Sequence, residues 1–164
     1  MNNGSSFSTR TLFSGPLEIE LHDTACPHIV SLRYQGSANL LASVPEIAIP
    51  TLYGDYPFIV GHRLWYASEA MPRSYVPDDE GLTVSEFPDG LLLNGRQEIG
   101  TGIRKCIKIH LRADHPQVTL SHMFVERAPE GSVSHTENWE LYDGPSRISY
   151  RRKSSAGSWE KFKL

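Results

Sequence analysis

The chain has only two cysteines, Cys26 and Cys106, in 164 residues. That is too few for a disulfide framework. Cys26 precedes Pro27 in a turn-like segment and Cys106 lies in a strand-like run, so both read as free thiols. No stretch approaches the roughly 18 apolar residues of a helical membrane span. The first residues, MNNGSSFSTRTLFSG, lack the continuous apolar centre of an export signal. A cytoplasmic protein with no membrane partner is the expectation. Charge of one sign is also scarce. Sixteen Lys and Arg against nineteen Asp and Glu leave a net charge of −3, which gives no reason to expect a nucleic-acid partner. There is no Walker loop, no dinucleotide-binding glycine signature, no G-x-S-x-G elbow and no EF-hand spacing. The histidines and cysteines show no paired zinc-ligand spacing. No cofactor and no metal are therefore expected. Finally, no segment of ten or more residues repeats with the helical period.

What is present is alternation. In LEIELH, Leu17, Ile19 and Leu21 alternate with Glu18, Glu20 and His22, as in a half-buried strand. HIVSLRYQG continues the pattern and ends at Gly36; NLLAS could pair with its neighbour. VPEIAIPTLYGDYPF has prolines at 45, 50 and 57 and reads as a long, partly extended loop. LTVSEF, LLLNGRQEI, IRKCIKIHLR and QVTLSHMFV read as further strands. Pro88-Asp89-Gly90 marks a turn and Asn94-Gly95 a bulge or turn. Residues 103–125 read as a hairpin of two long strands, with Ile103, Ile107, Ile109 and Leu111 on one face. Many short strands with regular turn signals imply an all-β protein, an antiparallel β-sandwich. The expected organisation is a flexible N-terminus over 1–14, a β-sandwich domain over 15–127 and a polar tail over 128–164. From Arg147 to Leu164 the tail carries six Lys or Arg and one Glu, a composition usually solvated.

Three groups of residues invite chemistry. His122 shares a strand face with Val118, Leu120 and Phe124. It reads either as a core histidine satisfied by a carbonyl or as a tuned acid–base group. His62 and Arg63 stand beside Trp65 and Tyr66. An aromatic face can stack on a sugar ring while Arg donates to its hydroxyls, and the same run also suits an ordinary amphipathic strand. Pro77-Asp78-Asp79-Glu80-Gly81 supplies acceptors or is simply a solvated turn. Arg104, Lys108 and Arg112 form a basic stripe too short for a nucleic-acid platform.

The run Gly61-His62-Arg63-Leu64-Trp65-Tyr66-Ala67-Ser68-Glu69, the turn Tyr75-Val76-Pro77-Asp78, the strand start Thr101-Gly102-Ile103-Arg104-Lys105 and the strand VTLSHMF occur in that order. Together they resemble the galactose mutarotase-like superfamily, the aldose 1-epimerases and related carbohydrate-binding supersandwich domains, in its poorly characterised bacterial members. The resemblance covers roughly residues 15 to 127, the N-terminal half of such a domain. It departs from the family pattern at Val60, Ser68 and, after His122, at Glu126 and Arg127. It implies opening and closing of an aldose ring at its anomeric carbon, with a carboxylate as base and a histidine as acid. His122 falls at the family's strand histidine, the catalytic acid. His62, Arg63, Trp65 and Asp78 fall on the substrate-binding side. No position matches the family's catalytic glutamate.

The expected function is therefore a carbohydrate-binding, aldose epimerase-like domain with a small-molecule sugar as partner, truncated and catalytically impaired. The alternative is a non-catalytic β-domain acting in self-association or protein interaction, for instance as a homodimer through exposed sheet edges.

Overall fold

Alternation becomes strand wherever one face has something to pack against. In the computed structural model, residues 7–42, 44, 46–59, 61–65, 68–126, 134–141, 149–153 and 159–163 are described. The strands are β1 (Thr9–Ser14), β2 (Leu17–His22), β3 (His28–Tyr34), β4 (Ala48–Thr51), β5 (Gly54–Pro57) and β6 (His62–Arg63). They continue as β7 (Thr83–Phe87), β8 (Gly90–Gln97), β9 (Ile103–Leu111), β10 (Val118–Glu126), β11 (Ser134–Leu141), β12 (Ser149–Lys153) and β13 (Trp159–Lys163). The helical content of the described residues is one 3-10 turn, Arg73–Tyr75. No helix among them is long and apolar enough to cross a membrane.

The strands form two main antiparallel sheets. The first has four strands in the order β1-β2-β3-β6, and the second seven in the order β13-β12-β11-β10-β9-β8-β7. A separate ribbon pairs β4 with β5. Leu17, Ile19, Leu21, Ile29 and Leu32 of the first sheet share one core with Leu91, Leu93, Ile107, Ile109, Val118 and Leu120 of the second. The protein is all-β and sandwich-like, as the alternation implied. Burying each such aliphatic side chain contributes roughly 1.5–3 kcal/mol, so this shared layer is what holds the sheets face to face. Ser14, fully buried at the end of β1, ties the sheets at one end. Its Oγ donates to the carbonyl of Arg112 (2.7 Å) and accepts from the Arg112 amide (3.2 Å).

The hairpins fall where the turn residues put them. Phe87 pairs with Gly90 across the Pro88-Asp89 turn. The β8–β9 register slips between Asn94 and Gln97, a bulge at Asn94-Gly95. β9 and β10 form the long hairpin, paired from Val118↔Leu111 to Glu126↔Ile103. β1 extends the first sheet on the N-terminal side of residue 15. Beyond residue 127, β11, β12 and β13 continue the second sheet.

Three local expectations are corrected. The proline-rich stretch is not simply a loop, because Pro50 pairs with Asp55 and Pro57 with Ala48 in the β4–β5 ribbon. A two-stranded ribbon consists only of edges, where a missing N–H is tolerated. Residues 39–42 form no strand, although the Leu40 amide does donate to the Leu32 carbonyl of the neighbouring β3 (2.9 Å). The Asn39 side chain stands in for one instead, accepting from the amides of Leu32 and Leu41 and donating to the Val30 carbonyl. The GHRLWYASE run yields a strand of only two residues, His62 and Arg63. Tyr66 and Ala67 lie outside the described residues.

Candidate functional site

β6 exists because Gly61 lets the backbone come against β3. Its φ is +118°, and a Cβ there would stand 2.3 Å from the Ile29 carbonyl oxygen. Only glycine accepts that approach and that conformation. The ladder then sets His62 opposite Ile29 and Arg63 opposite His28.

His62 reaches across the sandwich to the second sheet. Its Nε2 lies 2.6 Å from Nε2 of His122, with ring centroids 4.8 Å apart and planes at 61°. Two ring nitrogens at that separation share one proton, one donating and the other accepting. His122 is 2% exposed and stands on the inner face of β10 with Val118 and Leu120, as strand parity required. His62 is half-buried, and burial lowers its pKa. Across the β10–β11 ladder, Glu137 is the position directly opposite His122.

Arg63 goes elsewhere. Its Nη2 donates to both carboxylate oxygens of Asp78, at 2.8 and 2.9 Å. Lys105 Nζ lies 3.3 Å from Asp78 and 2.7 Å from Glu98, and Thr101 donates to the other Glu98 oxygen at 2.6 Å. Two cations and two carboxylates thus form a quartet of zero net charge, with all four side chains at most 10% exposed. Burial opposes the charge on Asp78, but Arg63 and Lys105 outweigh it and hold its carboxyl below the usual range. The guanidinium also lies over the rings of Tyr56 (4.5 Å) and Trp65 (5.4 Å). Asp78, Glu98 and Lys105 line a small pocket together with Pro27, Glu80 and Arg96.

The expected site residues therefore divide. His62 and His122 are brought together. Arg63 and Asp78 are also brought together, but to each other; Asp78 is 8% exposed, not part of a solvated turn, and its hydrogen bonds are spent within the quartet. Trp65 is half-buried and fixed by edge contacts with Tyr56, Phe58 and Tyr75. Two members of the quartet, Lys105 and Glu98, were not anticipated. Parity could have found Lys105, because an odd-numbered residue of β9 belongs to the same face as Ile103 and Ile107.

A third cluster adjoins the quartet, although no ligand spacing pointed to it. His22, Cys26 and His28 bracket the β2–β3 turn, are all buried, and bring one potential metal-ligating atom each within 4.8 Å of the others. No family model, curated protein or solved structure matches the chain.

Proposed function

We propose that the protein is a carbohydrate-binding domain of the aldose-epimerase kind, with the His62–His122 pair as its proton-handling centre. The contact between two imidazole nitrogens from separate sheets is the observation that carries the reading. An imidazole pair can give a proton at one nitrogen while it takes one at another, so the exchange leaves its net charge unchanged, which suits general acid–base chemistry at a neutral sugar. The unequal exposures support an order. His62, half-exposed, meets the sugar, and the buried His122 passes or receives the proton behind it. In ring opening a base removes the proton of the anomeric hydroxyl, the bond from the anomeric carbon to the ring oxygen breaks, and an acid protonates that oxygen. Ring closure on the other face of the aldehyde returns both protons. Arg63 and Asp78 act as the frame that holds β6.

Polarimetry tests this directly. With freshly dissolved α-D-glucose and α-D-galactose, the folded protein is expected to accelerate mutarotation above the buffer rate. His62→Ala and His122→Ala should remove the acceleration. Sugar binding without acceleration would keep the binding domain and discard the epimerase chemistry. If circular dichroism shows a folded protein and no aldose binds at millimolar concentration, the sugar reading is wrong.

A second reading, self-association, is favoured by β1. It is an edge strand of the four-stranded sheet, and Phe13 on it is 65% exposed. A monodisperse monomer in sedimentation would remove that alternative.

A further inference from the structure

The β2–β3 turn holds a polar cluster that neither the quartet nor the histidine pair uses. Leu21 pairs with Ile29, so His22 and His28 face each other one step further along. Cys26 lies in the turn between them, closed by the hydrogen bond from the His28 amide to the Cys26 carbonyl (2.7 Å). The Cys26 sulfur is 2.9 Å from Nδ1 of His28 and 3.5 Å from Nδ1 of His22. His22, Cys26 and His28 are 4%, 1% and 2% exposed.

Hydrogen bonding accounts for only part of this arrangement. The thiol can donate to one imidazole nitrogen and accept from the other, but the 2.9 Å approach of His28 is close for a bond to sulfur. His28 Nε2 is buried and has no partner, so either tautomer of that ring leaves one nitrogen unmet. Burying a polar group without a partner costs about 1–3 kcal/mol. One metal ion among the three Nδ1 and Sγ atoms would replace the crowded contacts with bonds. Bonds of ~2.3 Å to sulfur and ~2.0 Å to nitrogen set each nitrogen roughly 3.5–3.8 Å from the sulfur. The His22 contact already has that spacing, and His28 reaches it by withdrawing less than about 1 Å.

We propose that His22, Cys26 and His28 form a binding site for one thiophilic metal ion, with monovalent copper favoured over zinc. A thiolate with two imidazoles is a donor set that selects these two ions. Charge decides between them. Copper(I) with one thiolate and two neutral imidazoles is a neutral unit, whereas zinc leaves a charge of +1 in a buried place. Arg63 stands directly across the ladder from His28, and the neighbouring quartet is already balanced. Three ligands also complete a copper(I) centre but leave zinc one short of its usual four. The nearest carboxylate of the quartet, Asp78, is held by Arg63 and Lys105. Binding replaces the thiol proton: Cu(I) and Cys–SH give Cu–S–Cys and one proton released to solvent, with no change of oxidation state.

The test is competition for Cu(I) against a chromophoric chelator, without oxygen and with excess reductant, and for Zn(II) in parallel. The protein should withdraw one equivalent of Cu(I) and release one proton per ion. X-ray absorption at the copper edge should then show one sulfur and two nitrogen neighbours. Cys26→Ser should weaken binding by more than the ~10–100-fold that loss of an outer-shell partner costs. Cys106→Ser should not, since that thiol lies on another strand, donating to Asn94 at 2.9 Å. Should Cys26→Ser fail to fold, the sulfur neighbour in the absorption spectrum of the unmodified protein decides alone. No Cu(I) withdrawn, or a centre without sulfur, would overturn the site. Tighter binding of zinc than of copper(I) would overturn the charge argument.

Discussion

His62 and Arg63 are neighbours on a two-residue strand, yet they enter polar clusters of opposite character. Arg63 joins a closed set: each charge among Arg63, Asp78, Lys105 and Glu98 has an opposite charge within 3.3 Å. Such a set gains little by moving a proton: despite its burial, Asp78 is held as an anion by Arg63 and Lys105. His62 joins a pair of titratable rings. Two imidazole nitrogens stand 2.6 Å apart with one proton between them, and both partners can change protonation state near neutral pH. Burial alone does not separate a structural polar cluster from a reactive one. What separates them is whether every charge is already matched.

The largest effect should come from breaking the closed set. Lys105→Met leaves Glu98, 4% exposed, without its ion partner, and leaves Asp78 with Arg63 alone. Removing one member of a buried ion pair costs about 3–5 kcal/mol, and urea unfolding should register a loss of that order. A loss under ~1 kcal/mol would mean that water reaches the carboxylates and that the set is not closed. The next effect comes from the hinge common to both clusters. Gly61→Ala drives a Cβ to 2.3 Å from a backbone oxygen at φ +118°, where no flexible side chain can give way. Strain of this kind costs about 1–3 kcal/mol. Because β6 carries both His62 and Arg63, the substitution should also abolish any sugar response. A variant that keeps full sugar response would show that the histidine pair does not depend on β6 lying against β3.

The core was legible in the sequence and the clusters were legible only in part. Leu17, Ile19 and Leu21, or Val118, Leu120 and His122, follow from period two, because a strand's faces alternate whatever the partner sheet is. The two histidines of the pair were singled out, but their contact spans sixty positions, and no local pattern encodes that. Lys105 is readable by parity, against the general rule that a lysine is seldom buried. Asp78 sits in an acidic, proline-flanked run whose composition resembles a solvated turn. Its burial follows from Arg63 and Lys105, both distant in the chain. The His22–Cys26–His28 cluster lacks the paired spacing of familiar zinc sites. A hairpin turn, rather than a helix or knuckle, gathers its donors, so the signal lay in the turn geometry and not in the intervals.

The smallest effect, and the one that sharpens the comparison most, is the pH dependence. Burial lowers the pKa of His22, His28 and His62, while the unfolded chain keeps a histidine near ~6.5. Below that pH the unfolded state binds more protons than the folded one, so stability rises with pH. The contribution is complete above about pH 6.5 and is lost as pH falls through the folded values. Asp78 acts in a separate window. Its folded pKa is also lowered, so its contribution is present above ~3.9 and disappears only in stronger acid. Urea midpoints taken from pH 7.5 downward should therefore fall in two steps, histidine first and carboxylate second. Each histidine supplies a slope of at most ~1.4 kcal/mol per pH unit, and less for the half-exposed His62. His62→Phe should flatten the first step by up to one such share and leave the second unchanged. An unchanged first step would mean that His62 is equally protonated in both states. The pair would then carry a charge in the fold, and the contrast between a closed charged set and a neutral shared proton would fail.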